Sequence, residues 1–342
     1  MSTPAKTNES QEEAAESTVY LDVALRPSRW DDYIGQKTIK ENLKILLGAA
    51  AERGHVPEHI LFYGPPGLGK TTLAYLIAKE LNAQIKVTSG PAIEKVADLA
   101  SVLTNLAAGD ILFIDEIHRL NKTVEEVLYP AMESGSLDIL IGKGPSARTV
   151  QLPLPPFTLI GATTRIALLS SPLRSRFSGG IFRLEFYTPE EITRIVRNSA
   201  TTLGVGVDTD AAAAIAERSR FTPRTANHLL KRVRDYAQMQ RRDIDAAIVA
   251  EALTLLGIDI IGLNPSDRSV LETIIKKYNG GPVGLETIAA SLSEEEATIE
   301  EFNEPYLIQI GMVERTPRGR MATKHAYKHL NLKIPQDKLD LK

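Results

Sequence analysis

Gly64, Gly69, Lys70 and Thr71 stand at the spacing G-x-x-x-x-G-K-[ST], and residues of those types in that pattern grip phosphate. The glycines let backbone N–H groups close on phosphate oxygens, Lys70 reaches the β- and γ-phosphates, and the Thr71 hydroxyl can ligate Mg²⁺. Downstream, Asp115 and Glu116 end the apolar run Ile111-Leu112-Phe113-Ile114. Carboxylates placed so form a Walker B pair, Asp115 for Mg²⁺ and Glu116 to orient or deprotonate an attacking water. Acidic pairs often end strands without doing chemistry, but downstream of a phosphate loop the catalytic reading prevails. Thr164, after Leu159-Ile160-Gly161-Ala162, is placed to sense a γ-phosphate or to hold that water. Arginines extend the set. Arg174 and Arg176 follow a proline that can start a helix and are candidates for a neighbouring subunit's nucleotide, against the ordinary reading of a solvated pair. Arg224, early in a helix, can reach back to phosphates or serve as a plain surface arginine. Arg26 and Ile34 lie where the chain can fold over a base and ribose. Arg315, Arg318 and Arg320 surround a Pro/Gly turn and are spaced to meet phosphates or a groove.

The text between these residues supplies the elements that would hold them. Ile60-Leu61-Phe62-Tyr63 reads as a strand entering the phosphate loop, and Leu73 to Ala78 as the helix leaving it. Upstream, Pro27 and Gly35 bound an extended segment around Trp30, followed by a helix from about Thr38 to Glu52. Ala83 to Thr88 suggests a second strand and Pro91 to Ala107 a helix. Asn121 and Thr123 can cap a helix through Met132. The two β-like runs around Gly142-Lys143-Gly144-Pro145 predict an inserted hairpin. Near its tip Ile139, Leu140 and Ile141 are neighbours, so at least one faces away from its own sheet, as a partner contact or against the parent domain. A strand over Ile181 to Phe186 leads to Thr188-Pro189-Glu190-Glu191, an N-cap with proline at N1 and acids in the first turn. Helical text then continues to about Leu256. From Ser266 the pattern is three helices, broken at Gly280-Gly281-Pro282, with Ser293 and Glu296 forming an expected capping box and a disturbance expected at Pro305. A hairpin over Met312 to Ala322 completes a winged helix, usable for DNA or for protein contacts.

The predicted fold class is α/β: a P-loop domain with a parallel sheet over 19–187, a small α-helical lid over 188–257 and a C-terminal winged helix over 258–334. A leader (1–18) and a tail (335–342) flank them. Residues 2–17 hold no aromatic, branched aliphatic or methionine side chain and are expected to be disordered. With 43% apolar and 24% charged residues, the 342-residue chain can bury a core without staples. Cysteine is absent, which excludes disulfides, thiolate zinc sites and cysteine nucleophiles. The net charge of −3 argues against a uniformly basic coat, so any nucleic-acid binding falls to local patches. No stretch approaches the roughly 18 apolar residues of a membrane span, and no signal-peptide core is visible, so a cytoplasmic location is expected.

Taken together, Gly64 to Thr72, Phe113 to His118, Gly161 to Arg165 and Thr222-Pro223-Arg224 resemble the AAA+ ATPases. More narrowly, Leu25-Arg26-Pro27, Tyr129 to Glu133, Ser171 to Arg174, Gly280 to Leu285 and Arg315 to Arg320 resemble the RuvB family of Holliday-junction branch-migration motors. The resemblance implies an ATP-driven DNA motor acting in recombination and repair, with ATP and Mg²⁺ as cofactors and duplex DNA drawn through a homo-hexameric ring. It implies that Leu25, Arg26, Ile34 and Tyr187 lie by the nucleotide. Gly67, Gly69, Lys70, Thr71 and Thr72 would bind phosphates and Mg²⁺. Asp115 and Glu116 would be the Walker B pair, Thr164 sensor 1, Arg224 sensor 2 and Arg176 the arginine finger serving the adjacent protomer. Arg315 and Arg320, with Arg318 between them, would contact DNA. The inserted hairpin (Ile139, Leu140, Ile141) would dock on RuvA, and RuvC would join in a resolvasome. One departure is the acidic run Glu294-Glu295-Glu296, where the resemblance leads one to expect an arginine.

Two other classes share parts of this text. A DNA-binding switch loaded with ATP would hydrolyse it once per assembly, whereas a motor turns over steadily. A clamp-loader subunit would carry a helical collar in place of the winged helix.

Overall fold

Strand β1 (Ile60–Tyr63) buries Ile60, Leu61 and Phe62 completely, which requires cover on both faces of the sheet. In the computed structural model, residues 24–141 and 148–334 are described, with side chains except at 139–141, 148 and 149. The expected leader, the tail and the hairpin tip at 142–147 lie outside the described residues. Contacts divide the chain into two units at Tyr187/Thr188.

In the first unit, five strands form one parallel sheet in the order β2 (Ile85–Ser89), β3 (Ile111–Asp115), β6 (Thr158–Thr163), β1 and β7 (Gly180–Arg183). β3 and β6 are the other two strands buried along their length, with Ile111 to Ile114 completely buried and β6 buried from Thr158 to Thr163. The register sets Tyr63 opposite Thr163 and Ile114 opposite Gly161, so the carboxyl ends of the three central strands lie at one edge. Open α/β sheets bind ligands at that edge. The antiparallel pair β4 (Ser136–Ile141) and β5 (Arg148–Pro153) is the inserted hairpin.

Helix α1 (Lys37–Arg53) and helix α2 (Lys70–Glu80) flank β1 in sequence. Where one helix was expected over 91–107, the structure has a 3₁₀ turn at Gly90–Ala92 and helix α3 (Val96–Thr104). The Asp98 carboxylate explains the late start: it accepts from the backbone N–H of Glu94 and Lys95 at 3.1 and 2.9 Å and so organises the first turn there. Helix α4 (Lys122–Glu133) is capped by Asn121, and the short helix α5 (Ser171–Ser175) by Ser170.

In the second unit come helices α6 (Pro189–Thr202), α7 (Thr209–Glu217), α8 (Pro223–Gln240) and α9 (Ala246–Leu255), packed through Ile192, Val196, Ile215, Leu229, Val233 and Val249. Thr188 and Glu191 close the capping box at α6. A second core, centred on Leu271, Ile274, Ile288, Leu307 and Tyr327, gathers the C-terminal helices. These are α10 (Pro265–Glu272), continued by a π turn at Thr273–Lys277, then α11 (Leu285–Leu292) and a composite α12. Helix α12 starts at Glu296–Thr298, passes through a π turn at Ile299–Asn303 and closes as Glu304–Gln309. Ser293 does not cap it. That residue ends α11 in a left-handed conformation, φ 56°, and the acidic run bridges to the next helix. The disturbance expected at Pro305 is the π turn just before it, since proline removes a donor from the helix ladder. Strands β8 (Val313–Thr316) and β9 (Gly319–Ala322) form the wing, and helix α13 (Lys324–His329) follows. Among the described residues no helix is long and apolar enough to cross a membrane.

Candidate active site

Between β1 and α2 the chain makes the phosphate loop. Gly64 has φ +138°, and a Cβ there would lie 2.6 Å from the Leu184 carbonyl, so only glycine fits. Lys70 is 8% exposed, and its Nζ donates to the carbonyls of Gly64 at 2.8 Å and Pro65 at 2.9 Å, folding the ammonium over its own loop. Gly69 brings no capping side chain to α2, so the first-turn N–H groups are left for an acceptor other than a cap. Thr71 and Thr72, half-buried, sit in that first turn.

Two tyrosines brace the loop from outside it. The Tyr33 and Tyr187 hydroxyls are 3.2 Å apart, and both face the Leu68 carbonyl, at 3.5 and 3.2 Å. Burial, and then the neighbouring Tyr187, push the Tyr33 hydroxyl well above its usual range, so it remains a neutral partner. Gly35 is held against the Tyr187 ring, where a Cβ would clash at 2.6 Å. Ile34 is buried beside Tyr33, and the exposed Arg26 lies over the Tyr75 ring at 5.4 Å. Leu25 is half-buried.

At the end of β3, Asp115 Oδ1 accepts from the Glu116 N–H at 2.9 Å, and Glu116 itself takes a left-handed conformation, φ 47°. The Glu116 carboxylate pairs with Arg119 at 3.2 Å, exposed to solvent. On the adjacent strand, the Thr163 hydroxyl lies 2.9 Å from His118 Nδ1 and accepts from the Arg165 N–H. The Thr163 carbonyl accepts from the Gly64 N–H at 3.2 Å. One residue therefore ties the phosphate loop to the turn that carries the two acids, with Thr164 next in the chain and half-buried.

Arg176 follows α5 and does not project freely. Its Nη2 pairs with Glu133 at 2.9 Å, Nη1 donates to the Pro172 carbonyl at 2.6 Å, and the guanidinium stacks on Tyr129 at 4.2 Å. Behind it the buried Glu125 carboxylate accepts from the hydroxyls of Tyr129 and Ser170, fixing both the ring and the cap of α5.

The wing shows a similar pairing. Arg320 is 13% exposed and makes two parallel contacts of 3.0 Å with Glu304, itself 6% exposed. Arg315 pairs with Glu300 at 3.3 Å and approaches Glu304 at 3.9 Å. Arg318 is exposed at the tip, its N–H donating to the Thr316 hydroxyl. Of the three arginines expected on the surface, Arg320 is thus held inside the domain by a buried carboxylate.

Three family models match consecutive parts of the chain: Holliday junction DNA helicase RuvB P-loop domain at 25–184, RuvB AAA lid domain at 187–259 and RuvB C-terminal winged helix domain at 260–331. The Holliday junction branch migration complex subunit RuvB of Dehalococcoides mccartyi (strain CBDB1) is 59% identical over 319 residues, 93% of this chain and 91% of that relative. The chain belongs to the RuvB family. Among solved structures, the Thermotoga maritima RuvB Holliday junction branch migration motor is 50% identical with a TM-score of 0.83, covering 91% of this chain and all of that one. A single-residue mutant of the same RuvB has a TM-score of 0.85 over 91% of this chain and 99% of its own.

The expected nucleotide-site residues Gly64, Lys70, Asp115, Glu116 and Thr164 all lie at or after the carboxyl ends of β1, β3 and β6, at one edge of the sheet. Arg224 is in the other unit, exposed in the first turn of α8, which Thr222 caps. Ile139, Leu140 and Ile141 lie on β4 opposite Val150, Thr149 and Arg148, and their side chains lie outside the described residues. Sequence reasoning missed Tyr33, His118, Tyr129 and Glu133. His118 had a signal in its place two residues after the acidic pair, and Tyr129 and Glu133 in the run Tyr129 to Glu133 that carries the resemblance.

Proposed function

We infer that this chain is an ATP-driven motor that branch-migrates Holliday junctions, drawing duplex DNA through a ring of its own copies during recombination and repair. The observation that supports this best is the meeting of Lys70, Asp115, Glu116 and Thr164 at the carboxyl edge of adjacent strands, in a chain that also carries a winged helix. In this reading Leu25, Arg26, Ile34 and Tyr187 hold the base and ribose, and Gly67, Gly69, Lys70, Thr71 and Thr72 bind the phosphates. Glu116 leaves its exposed pair with Arg119 to orient the water, Thr164 reads the γ-phosphate, and Arg224 reports on it from the lid. Arg176 exchanges Glu133 for the nucleotide of the adjacent protomer.

The Thr71 hydroxyl and the Asp115 carboxylate are hard oxygen donors, a set that suits Mg²⁺. Bound there, Mg²⁺ would neutralise charge on the β- and γ-phosphates. Arg318 at the wing tip, with the half-exposed Arg315, contacts DNA phosphates, while Arg320 holds the wing in place. The hairpin bearing Ile139, Leu140 and Ile141 docks on RuvA, the ring is a hexamer, RuvC joins in a resolvasome, and the setting is the cytoplasm.

The test is migration of a synthetic four-way junction, with and without RuvA, comparing the wild type with Glu116→Gln. ATP-dependent movement by the wild type alone supports the motor, and failure to move the junction under any condition overturns it.

A further inference from the structure

The turn between α7 and α8 holds two consecutive non-glycine residues in the left-handed region, Arg220 at φ 57° and Phe221 at φ 55°. Such a pair persists only where the surroundings over-determine it. Here the surroundings belong to the winged helix. The Arg220 guanidinium, 12% exposed, donates through Nη2 to the Phe302 carbonyl at 2.6 Å and to Asp267 Oδ1 at 3.3 Å. It also lies over two rings, Phe302 at 4.7 Å and Tyr306 at 4.8 Å. Phe221 packs on Tyr306 with centroids 6.0 Å apart, and the Tyr306 hydroxyl donates back to the Ile261 carbonyl in the connecting segment. The partner carboxylate is wholly buried. Asp267 accepts from Asn303 Nδ2 at 2.7 Å and caps the start of α10 through the Asn264 N–H, so it cannot turn away from Arg220. At Gly262 the connection passes so close that a Cβ would lie 2.7 Å from the Arg218 carbonyl.

The position of this clasp matters more than its strength. On one side, Arg220 and Phe221 run directly into Thr222, the cap of α8, and so to Arg224 in its first turn. On the other side, Phe302, Asn303 and Tyr306 flank Glu304 along α12, and Glu304 is the residue that grips Arg320 and approaches Arg315 in the wing. A displacement of the start of α8 therefore has a continuous path of packed and hydrogen-bonded groups to the wing.

We propose that Arg220 is a positioning residue that couples the nucleotide state read at Arg224 to the placement of the DNA-holding wing, through the π turn of α12. The proposal rests on the motor reading given above. The partners of Arg220 described above, Asp267, Phe302 and Tyr306, belong to neither the phosphate loop nor the two wing strands, so its loss should separate hydrolysis from movement and leave both of the underlying activities in place.

The experiment compares wild type and Arg220→Ala in three measurements with RuvA present: steady ATP turnover, equilibrium binding to duplex DNA, and four-way-junction migration per ATP consumed. A fourth uses the absence of native cysteine, with one spin-label pair introduced between α6 and the wing. For Arg220→Ala we expect turnover and DNA affinity near wild type, a fall of about tenfold in junctions moved per ATP, and a broadened label distance. A wild-type yield per ATP, or a label distribution as narrow as in the wild type, overturns the proposal. Should Arg220→Ala fail to fold, Phe302→Ala replaces it, because that ring is 54% exposed and removes one stacking face only. Uncoupling with intact turnover supports the proposal there, and unchanged coupling overturns it. If the wild type itself moves no junction, the motor reading has failed and not the coupling.

Discussion

The carboxyl edge of the parallel sheet and the wing both hold charged side chains in place, by different means. At the edge, hydrogen-bonded register does the positioning: Tyr63 opposite Thr163, and Ile114 opposite Gly161, bring the loop, the acids and the hydroxyls together whatever the surrounding side chains do. In the wing, two strands present three arginines, and acids from α12 decide which of them is available. Backbone order thus fixes a site by its motif, while a side-chain site is fixed by its partners. Arg176 belongs with the wing in this respect, since Glu133 and Tyr129 govern it.

The comparison can be broken or sharpened by experiment. The largest effect is expected at Arg176→Ala, where ATP turnover of the assembled protein should fall by about 10³–10⁵ while nucleotide binding, followed with a fluorescent analogue, survives. A wild-type rate would remove Arg176 from the neighbour's site. Glu116→Gln should cut turnover by about 10²–10⁴ with binding again retained, as expected where the backbone alone places the acid. Next comes Glu304→Ala. Leaving the Arg320 guanidinium buried and unpaired should cost about 3–5 kcal/mol in denaturant unfolding of the winged helix. If that variant is instead as stable as the wild type, Arg320 is free to act on DNA and the contrast between edge and wing collapses. Arg318→Ala should leave stability alone and lower the slope of log affinity against log salt by about one.

The smallest effect concerns His59, at the foot of β1. Its Nε2 lies 3.0 Å from the Met132 carbonyl and its Nδ1 accepts from the Leu159 N–H at 2.9 Å, so both nitrogens are used by the neutral ring. Burial is the main cause lowering its pKa from the ordinary 6.5. The folded state therefore binds the proton less readily than the unfolded chain. The stabilisation is complete above about pH 6.5 and is lost as pH falls below it toward the folded pKa. Melting temperature should drop over that window in the wild type, and His59→Gln should flatten the drop.

Much of the edge was legible in the sequence because its residues are local to motifs. Gly64 to Thr71 and Asp115-Glu116 need only a strand before them, and four apolar residues in a row announce one. Helix boundaries were less legible. Asp98 moved the start of α3 and Ser293 ended α11 instead of capping α12, since a short polar side chain can bond either the helix it opens or the turn it closes. The pairings of Arg176 and Arg320 were not legible at all. Glu133 and Glu304 stand 43 and 16 positions from their arginines, and no periodicity records a contact across packed helices and strands.

By itself the sequence determined that this chain binds a nucleoside triphosphate beside an acidic strand end and carries a basic hairpin near its C-terminus. It could do so because phosphate loops and strand ends are built from neighbours in the chain. Tertiary structure alone decided that Tyr33 and Tyr187 brace the loop, that Glu304 withdraws Arg320 from the surface, and that Arg220 is locked between Phe302, Tyr306 and Asp267. The physical reason is common to all three. Burial makes an unpaired polar or charged group costly, so the folded chain selects partners by proximity in space, which order along the sequence does not encode.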